Sequence, residues 1–118
     1  MFYLGKNRDR LSIIAAILEA ANPGTSKTRI MFSANLSYSL LEKYLDVAIR
    51  AGFLKINGAK YHLTELGQEF LREYKHFHER YYKAQKILDS LESEREKLAK
   101  LCERYGLNNS VTSFLESE

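Results

Sequence analysis

The stretch KTRIMFSANLSYSLLEKYLDVAIRAGFLKINGAKYHLT, residues 27–64, decides the fold. Ser26 stands just ahead of it as an N-cap, and residues 27–32 read as a short helix that turns Ile30 and Met31 inward. Residues 33–36 (Ser-Ala-Asn-Leu) form a turn. Ser37 then caps a longer helix that stops at Gly52, a residue suited to a helix C-terminus. Along that helix Leu40, Leu41, Tyr44, Leu45 and Ala48 gather on one side at about 100° per residue. Ser39, Glu42, Lys43, Asp46 and Arg50 fall on the other.

Residues 53–56 and 59–64 alternate apolar with polar around Asn57-Gly58, a pair that supplies the two positive φ angles of a type I′ turn. Leu54 and Ile56 are expected to share a face with Tyr61 and Leu63. Upstream, residues 9–21 carry Leu11, Ile14, Ala15, Leu18 and Ala21 at helical spacing, and Asn22-Pro23-Gly24 ends that run. Two helices around a four-residue turn, the second amphipathic and followed by a hairpin, match the plan of a helix-turn-helix with a wing.

Downstream the period changes. From Thr64, a helix cap, Phe70, Tyr74, Phe77, Tyr81, Ala84, Leu88, Leu91, Arg95, Leu98, Cys102 and Tyr105 recur at alternating spacings of four and three. This is a heptad seam, with a positions from Tyr74 and d positions from Phe70. No proline or glycine interrupts residues 68–105, and Gly106 suits the helix end. Such a helix is too long to bury its stripe on the preceding residues, so it calls for a second copy. Three segments are expected: a head, 1–64; a dimerisation helix, 65–106; and a tail, 107–118, in which Val111, Phe114 and Leu115 suggest a short helix after Ser110. The fold class is mainly α with a small hairpin wing, closed by a long helix that pairs antiparallel with its mate. A parallel pair would stack Arg95 on Arg95 in an apolar core and crowd the aromatic half of the seam onto itself.

Charge is divided unevenly along the 118 residues. Residues 1–64 hold nine Lys/Arg against four acids, a net +5, and the remainder nets −2. A basic head on a near-neutral arm suits a polyanion partner. No apolar run reaches the roughly 18 residues of a membrane span. The N-terminus carries no secretory pattern, and a cytoplasmic, nucleoid-associated protein is expected. Cys102, the single cysteine, sits in the seam with no activating neighbour. His76, His78 and Glu79 lie too close in a helix to converge on a metal. No phosphate-binding glycine loop and no catalytic constellation is present, so neither an enzyme, a cofactor nor a metal is expected.

KTRIMFSANLSYSLLEKYL (residues 27–45), GFL (52–54) and YHLTELGQEFL (61–71) together resemble the small archaeal winged-helix DNA-binding proteins of the crenarchaeal ten-kilodalton "a" family and related predicted archaeal transcription regulators. The likeness spans about residues 9–105. It implies a winged helix whose last helix pairs in an antiparallel coiled coil, and double-stranded DNA binding in a regulatory or chromatin-associated role.

On the helix capped by Ser37, the residues placed to meet DNA are Ser37, Tyr38, Ser39 and Lys43. Glu42 and Asp46 are expected to accept from cytosine or to pair with Lys43 and Arg50. Lys55, Asn57 and Lys60 lie on the wing, where they contact the duplex or guard a sheet edge. Arg29 either touches phosphate or braces the two helices, and Arg8 and Arg10 reach for phosphate from the N-terminal arm. A second reading is a protein-interaction module without DNA contact, since a coiled coil is a general docking device.

Overall fold

A computed structural model describes residues 8–104. The element order is α1 (Arg10–Ala21), β1 (Thr25–Ser26), α2 (Lys27–Ser33), α3 (Tyr38–Arg50), β2 (Leu54–Asn57), β3 (Lys60–Leu63) and α4 (Glu65–Arg104). Tyr105, Gly106 and the tail, 107–118, lie outside the described residues.

Asp9 is the cap of α1 rather than its first residue, its carboxylate accepting from the Ser12 amide at 2.7 Å. The single apolar face expected for α1 is too narrow. Ile13, Ala16 and Ile17 are buried along with Ile14, Ala15, Leu18 and Ala21, whereas Leu11 is exposed. The cause is topological: α1 is contacted by α2, α3, β1 and β3, so it is enclosed on most sides. Ile30 on α2 and Leu41, Tyr44, Leu45 and Ala48 on α3 complete the centre, with Met31 packed at its edge. Leu40, expected inside, is exposed on the outer first turn of α3.

The caps of α2 and α3 follow the expectation. The Ser26 hydroxyl accepts from the Arg29 amide at 3.3 Å and the Ser37 hydroxyl from the Leu40 amide at 3.2 Å. Between the helices Asn35 adopts φ +54°, a left-handed conformation that asparagine tolerates better than most residues.

The sheet has three strands in the order β1-β3-β2, both pairings antiparallel. Sequence reading missed β1, which is only two residues long and pairs with a strand far along the chain. The turn of the hairpin also differs. Asn57 pairs with Lys60, so Gly58-Ala59 forms the loop. Gly58 has φ +67°, while neither Asn57 nor Ala59 has positive φ; that sign pattern belongs to a II′ turn rather than I′. The register therefore moves by two residues from an Asn57-Gly58 turn. An even shift leaves every side chain on its face, so Leu54, Ile56, Tyr61 and Leu63 still share one side. Of these Ile56 is exposed.

The Thr64 hydroxyl accepts from the Gly67 amide at 3.0 Å and donates to the Gly52 carbonyl. Gly67 lies so close to the link between α3 and β2 that a Cβ there would overlap the Phe53 carbonyl oxygen.

By contacts the chain divides between His78 and Glu79. The first unit includes the opening turns of α4, because these turns cover the core. Leu71 and Tyr74 are buried there, and Phe70 lies between Phe53, against which it is tilted (centroids 4.8 Å apart), and Tyr74, on which it stacks (6.1 Å). Tyr74, expected in the intermolecular seam, is thus buried in the head, and Phe70, half-buried, packs against its core. In the second unit the seam residues Tyr81, Ala84, Leu88, Leu91, Arg95 and Leu98 are exposed, and Cys102 is half-buried. Phe77, in the first unit, is also exposed.

Candidate nucleic-acid interface

The outer side of α3 has the composition expected of it. Ser39, Glu42, Lys43, Asp46 and Arg50 are all exposed, because burial of Leu41, Tyr44, Leu45 and Ala48 fixes the rotation of the helix. Tyr38, the first residue of α3, is exposed as well. Ser37 lies one residue earlier, its oxygen already engaged as the cap.

The ion pairs on this face differ in part from the expectation. Asp46 pairs with Arg50 one turn later, at 3.1 Å. Glu42 does not pair with Lys43. It binds the ammonium of Lys27, the first residue of α2, which also donates to the Tyr38 hydroxyl at 3.4 Å and lies 4.9 Å from the centre of that ring. The hydrogen bond from Lys27, with a contribution from Tyr38, holds the Glu42 carboxyl below the usual carboxylate range. The same bond to Glu42 raises Lys27 above the ordinary lysine value. Lys43 makes no ion pair among the described residues; its ammonium rests 5.3 Å from the centre of the Tyr44 ring.

On the wing, the alternation of a strand puts Lys55, Asn57, Lys60 and His62 on one face. Asn57 and Lys60 flank the turn as direct partners. Lys60 is also paired with Ser26, so the central strand carries this lysine next to the start of α2. His62 packs against Gly24, where φ is +134° and a Cβ would lie 2.8 Å from the imidazole. Arg29 is exposed on α2 and makes no side-chain bond to another described residue.

Arg8 takes a different role from the one expected. Its guanidinium donates to the carbonyls of Ala34 and Asn35 at 2.8 and 2.9 Å, across the turn between α2 and α3. It braces that turn instead of reaching outward. Sequence reading also missed Lys27, whose partner is fifteen residues away in the chain. On α4 it missed Ile87 and Leu101, both exposed beside the seam. These two are two heptads apart at one position of the repeat, with the charged Glu94 midway between them.

No helix among the described residues is long and apolar enough to cross a membrane.

Comparison with known proteins agrees with this geometry. A relative from Methanocaldococcus jannaschii, described as an uncharacterized protein, is 43% identical over 63 residues, which is 52% of this chain and 65% of that protein's length. The chain therefore matches somewhat less than two thirds of this relative. Among solved structures, Sso10a-2, a DNA-binding protein from Sulfolobus solfataricus, is similar with a TM-score of 0.56 and 28% identity over 80% of this chain and 96% of that one. ZitR of Lactococcus lactis, solved in complex with DNA, has a TM-score of 0.52 over 89% of this chain and 84% of its own; at 18% identity it attests the fold alone. The resemblance to small archaeal winged-helix proteins is thus borne out. A family model for the winged helix-turn-helix matches residues 7–82, more than half of the chain, and the protein belongs to that family.

Proposed function

We propose that this protein binds double-stranded DNA as a homodimer, as a transcriptional regulator or an architectural protein of chromatin, with α3 in the major groove and the wing on the flanking backbone. The observation that carries the reading is the exposed side of α3, with Ser39 and Lys43 presented by a helix whose opposite side is locked into the core. Lys55 and Lys60 share the polar face of the wing, and Arg29 adds an exposed cation on α2. Its similarity to Sso10a-2, a DNA-binding protein, supports the same reading. Dimerisation is assigned to the stripe of Tyr81, Leu88, Leu91 and Leu98, exposed at heptad spacing in the single chain, with Phe77 and Ala84 continuing it. A nucleoid-associated location goes with this role.

Electrophoretic mobility shift on random and selected duplexes across a salt series tests the proposal. Each phosphate neutralised contributes roughly −0.9 to the slope of log K against log salt. Lys43→Ala is expected to change site preference, whereas Lys60→Ala weakens all sequences alike and flattens the slope. Absence of duplex binding at ~50 mM salt, where charge-driven association is favoured, rejects the DNA role and leaves the protein-interaction module.

A further inference from the structure

A face offered to a polyanion carries two carboxylates, Glu42 and Asp46, and each is neutralised by a different route. Asp46 takes Arg50 from its own helix. Glu42 takes Lys27 from α2, and the Tyr38 hydroxyl and ring complete a three-sided holder for that ammonium. The side chains of Lys27 and Glu42 retain 33% and 45% of their exposure, so a phosphate can reach the lysine. Ion pairs this exposed contribute little to folding. The arrangement therefore has more consequence for what the surface binds than for whether the head folds.

Resting on the DNA-binding reading above, we propose that Glu42 is a specificity-determining residue that acts through Lys27: its carboxylate occupies the position a backbone phosphate would take on that ammonium. A carboxylate and a phosphodiester oxyanion are alternative partners for one lysine. A duplex that engages Lys27 must displace Glu42 and leave its charge unpaired beside other phosphates. Duplexes held only by backbone contacts are disfavoured by that exchange, and tight binding is reserved for sequences whose base edges supply further contacts.

The test is a double-mutant cycle in the full chain, with affinity for a random-sequence duplex followed by fluorescence anisotropy across a salt series. Glu42→Gln keeps the shape and removes the charge. It is expected to free Lys27 for one more phosphate, steepening the salt slope by about 0.9 and tightening random duplex roughly eightfold at 0.1 M salt. Lys27→Met alone leaves the Glu42 charge unpaired beside the phosphates and is expected to weaken random-duplex binding, whereas in the Glu42→Gln background it is expected to abolish the gain and return affinity to near that of the parent. A gain that survives Lys27→Met reflects the general field of the protein and overturns the proposal. So does an unchanged affinity and slope in Glu42→Gln when the parent protein binds DNA, a result that leaves the DNA reading intact. Loss of duplex binding by the parent protein and both variants removes the DNA reading and this proposal together. Without DNA, the Glu42 carboxyl followed by NMR should titrate below the ordinary 4.5 in the parent chain and move up towards it in Lys27→Met. Failure to move shows that the pair does not exist in solution and overturns the proposal independently of any DNA measurement.

Discussion

Arg8 and Tyr74 show how much single side chains do to place the head's helices. The Arg8 guanidinium satisfies two carbonyls of the α2–α3 turn, at Ala34 and Asn35. Hydrogen bonds from a charged donor contribute more than neutral ones, so Arg8→Ala is expected to destabilise the head by about 1.5–3 kcal/mol. A lysine has no planar fork to span two carbonyls, and Arg8→Lys should recover little of the loss. Urea unfolding of the three proteins measures both effects. Tyr74 predicts a pH dependence. Burial, and secondarily the charge of Asp9, raises its phenol above the ordinary 10.0. Below pH 10.0 both folded and unfolded chains keep that proton, and stability is unaffected. Above it the unfolded chain loses the proton first, so stability falls with rising pH until the folded phenol also ionises. Tyr74→Phe should flatten this alkaline decline, comparing urea midpoints between pH 8 and about 11. An unchanged slope would mean the phenol is not shielded in the folded head.

Among the elements, those whose signals are local were legible and those defined by distant partners were not. The two serine caps, the turn at Asn35 and the amphipathic α3 all follow from neighbouring residues. The hairpin was legible in its faces but not in its turn. Asn57-Gly58 is the strongest nearby turn signal, yet in the three-stranded sheet Asn57 pairs with Lys60 and Gly58-Ala59 closes the loop. The enclosure of α1 was half visible, since Ile13, Ala16 and Ile17 are as apolar as the face chosen for it. The partnership of Lys27 with Glu42 was invisible, because it depends on how α2 and α3 cross. Heptad spacing alone does not separate head from seam for a related reason: Phe70 and Tyr74 keep that spacing although both pack on the head's core. The junction at the start of α4 yields a prediction of its own. Gly67→Ala places a Cβ in overlap with the Phe53 carbonyl oxygen, a backbone atom that cannot swing aside. Overpacking of this kind costs about 1–3 kcal/mol or more. The thermal midpoint should drop while the exposed stripe from Tyr81 to Leu98 is untouched.

For the whole molecule, the proposed dimer has an orientation that a single cysteine reads out. In a parallel pair Arg95 meets Arg95, and the Cys102 side chains come together. In an antiparallel pair Phe77 and Tyr81 lie against the smaller half from Leu88 to Cys102, volumes are evened along the seam, and the cysteines are held apart. Mild oxidation of the dilute protein is therefore expected to yield little Cys102–Cys102 disulfide within the dimer. Efficient crosslinking would reverse the orientation. The burial of Leu71 and Tyr74 in the head also bears on how the chain is made. Ile17, Leu18 and Ala21 leave the ribosome long before the residues that finally cover the core. At roughly 5–20 residues per second, the interval from Ala21 to Tyr74 is on the order of three to ten seconds. Helices and hairpins can form within microseconds, but elements as short as α1 to α3 and the wing are marginal alone, so they settle only when the first turns of α4 arrive to cover the core. During that wait the nascent head shows apolar surface that the finished protein never does, and it is at this stage of synthesis that a chaperone has something to hold.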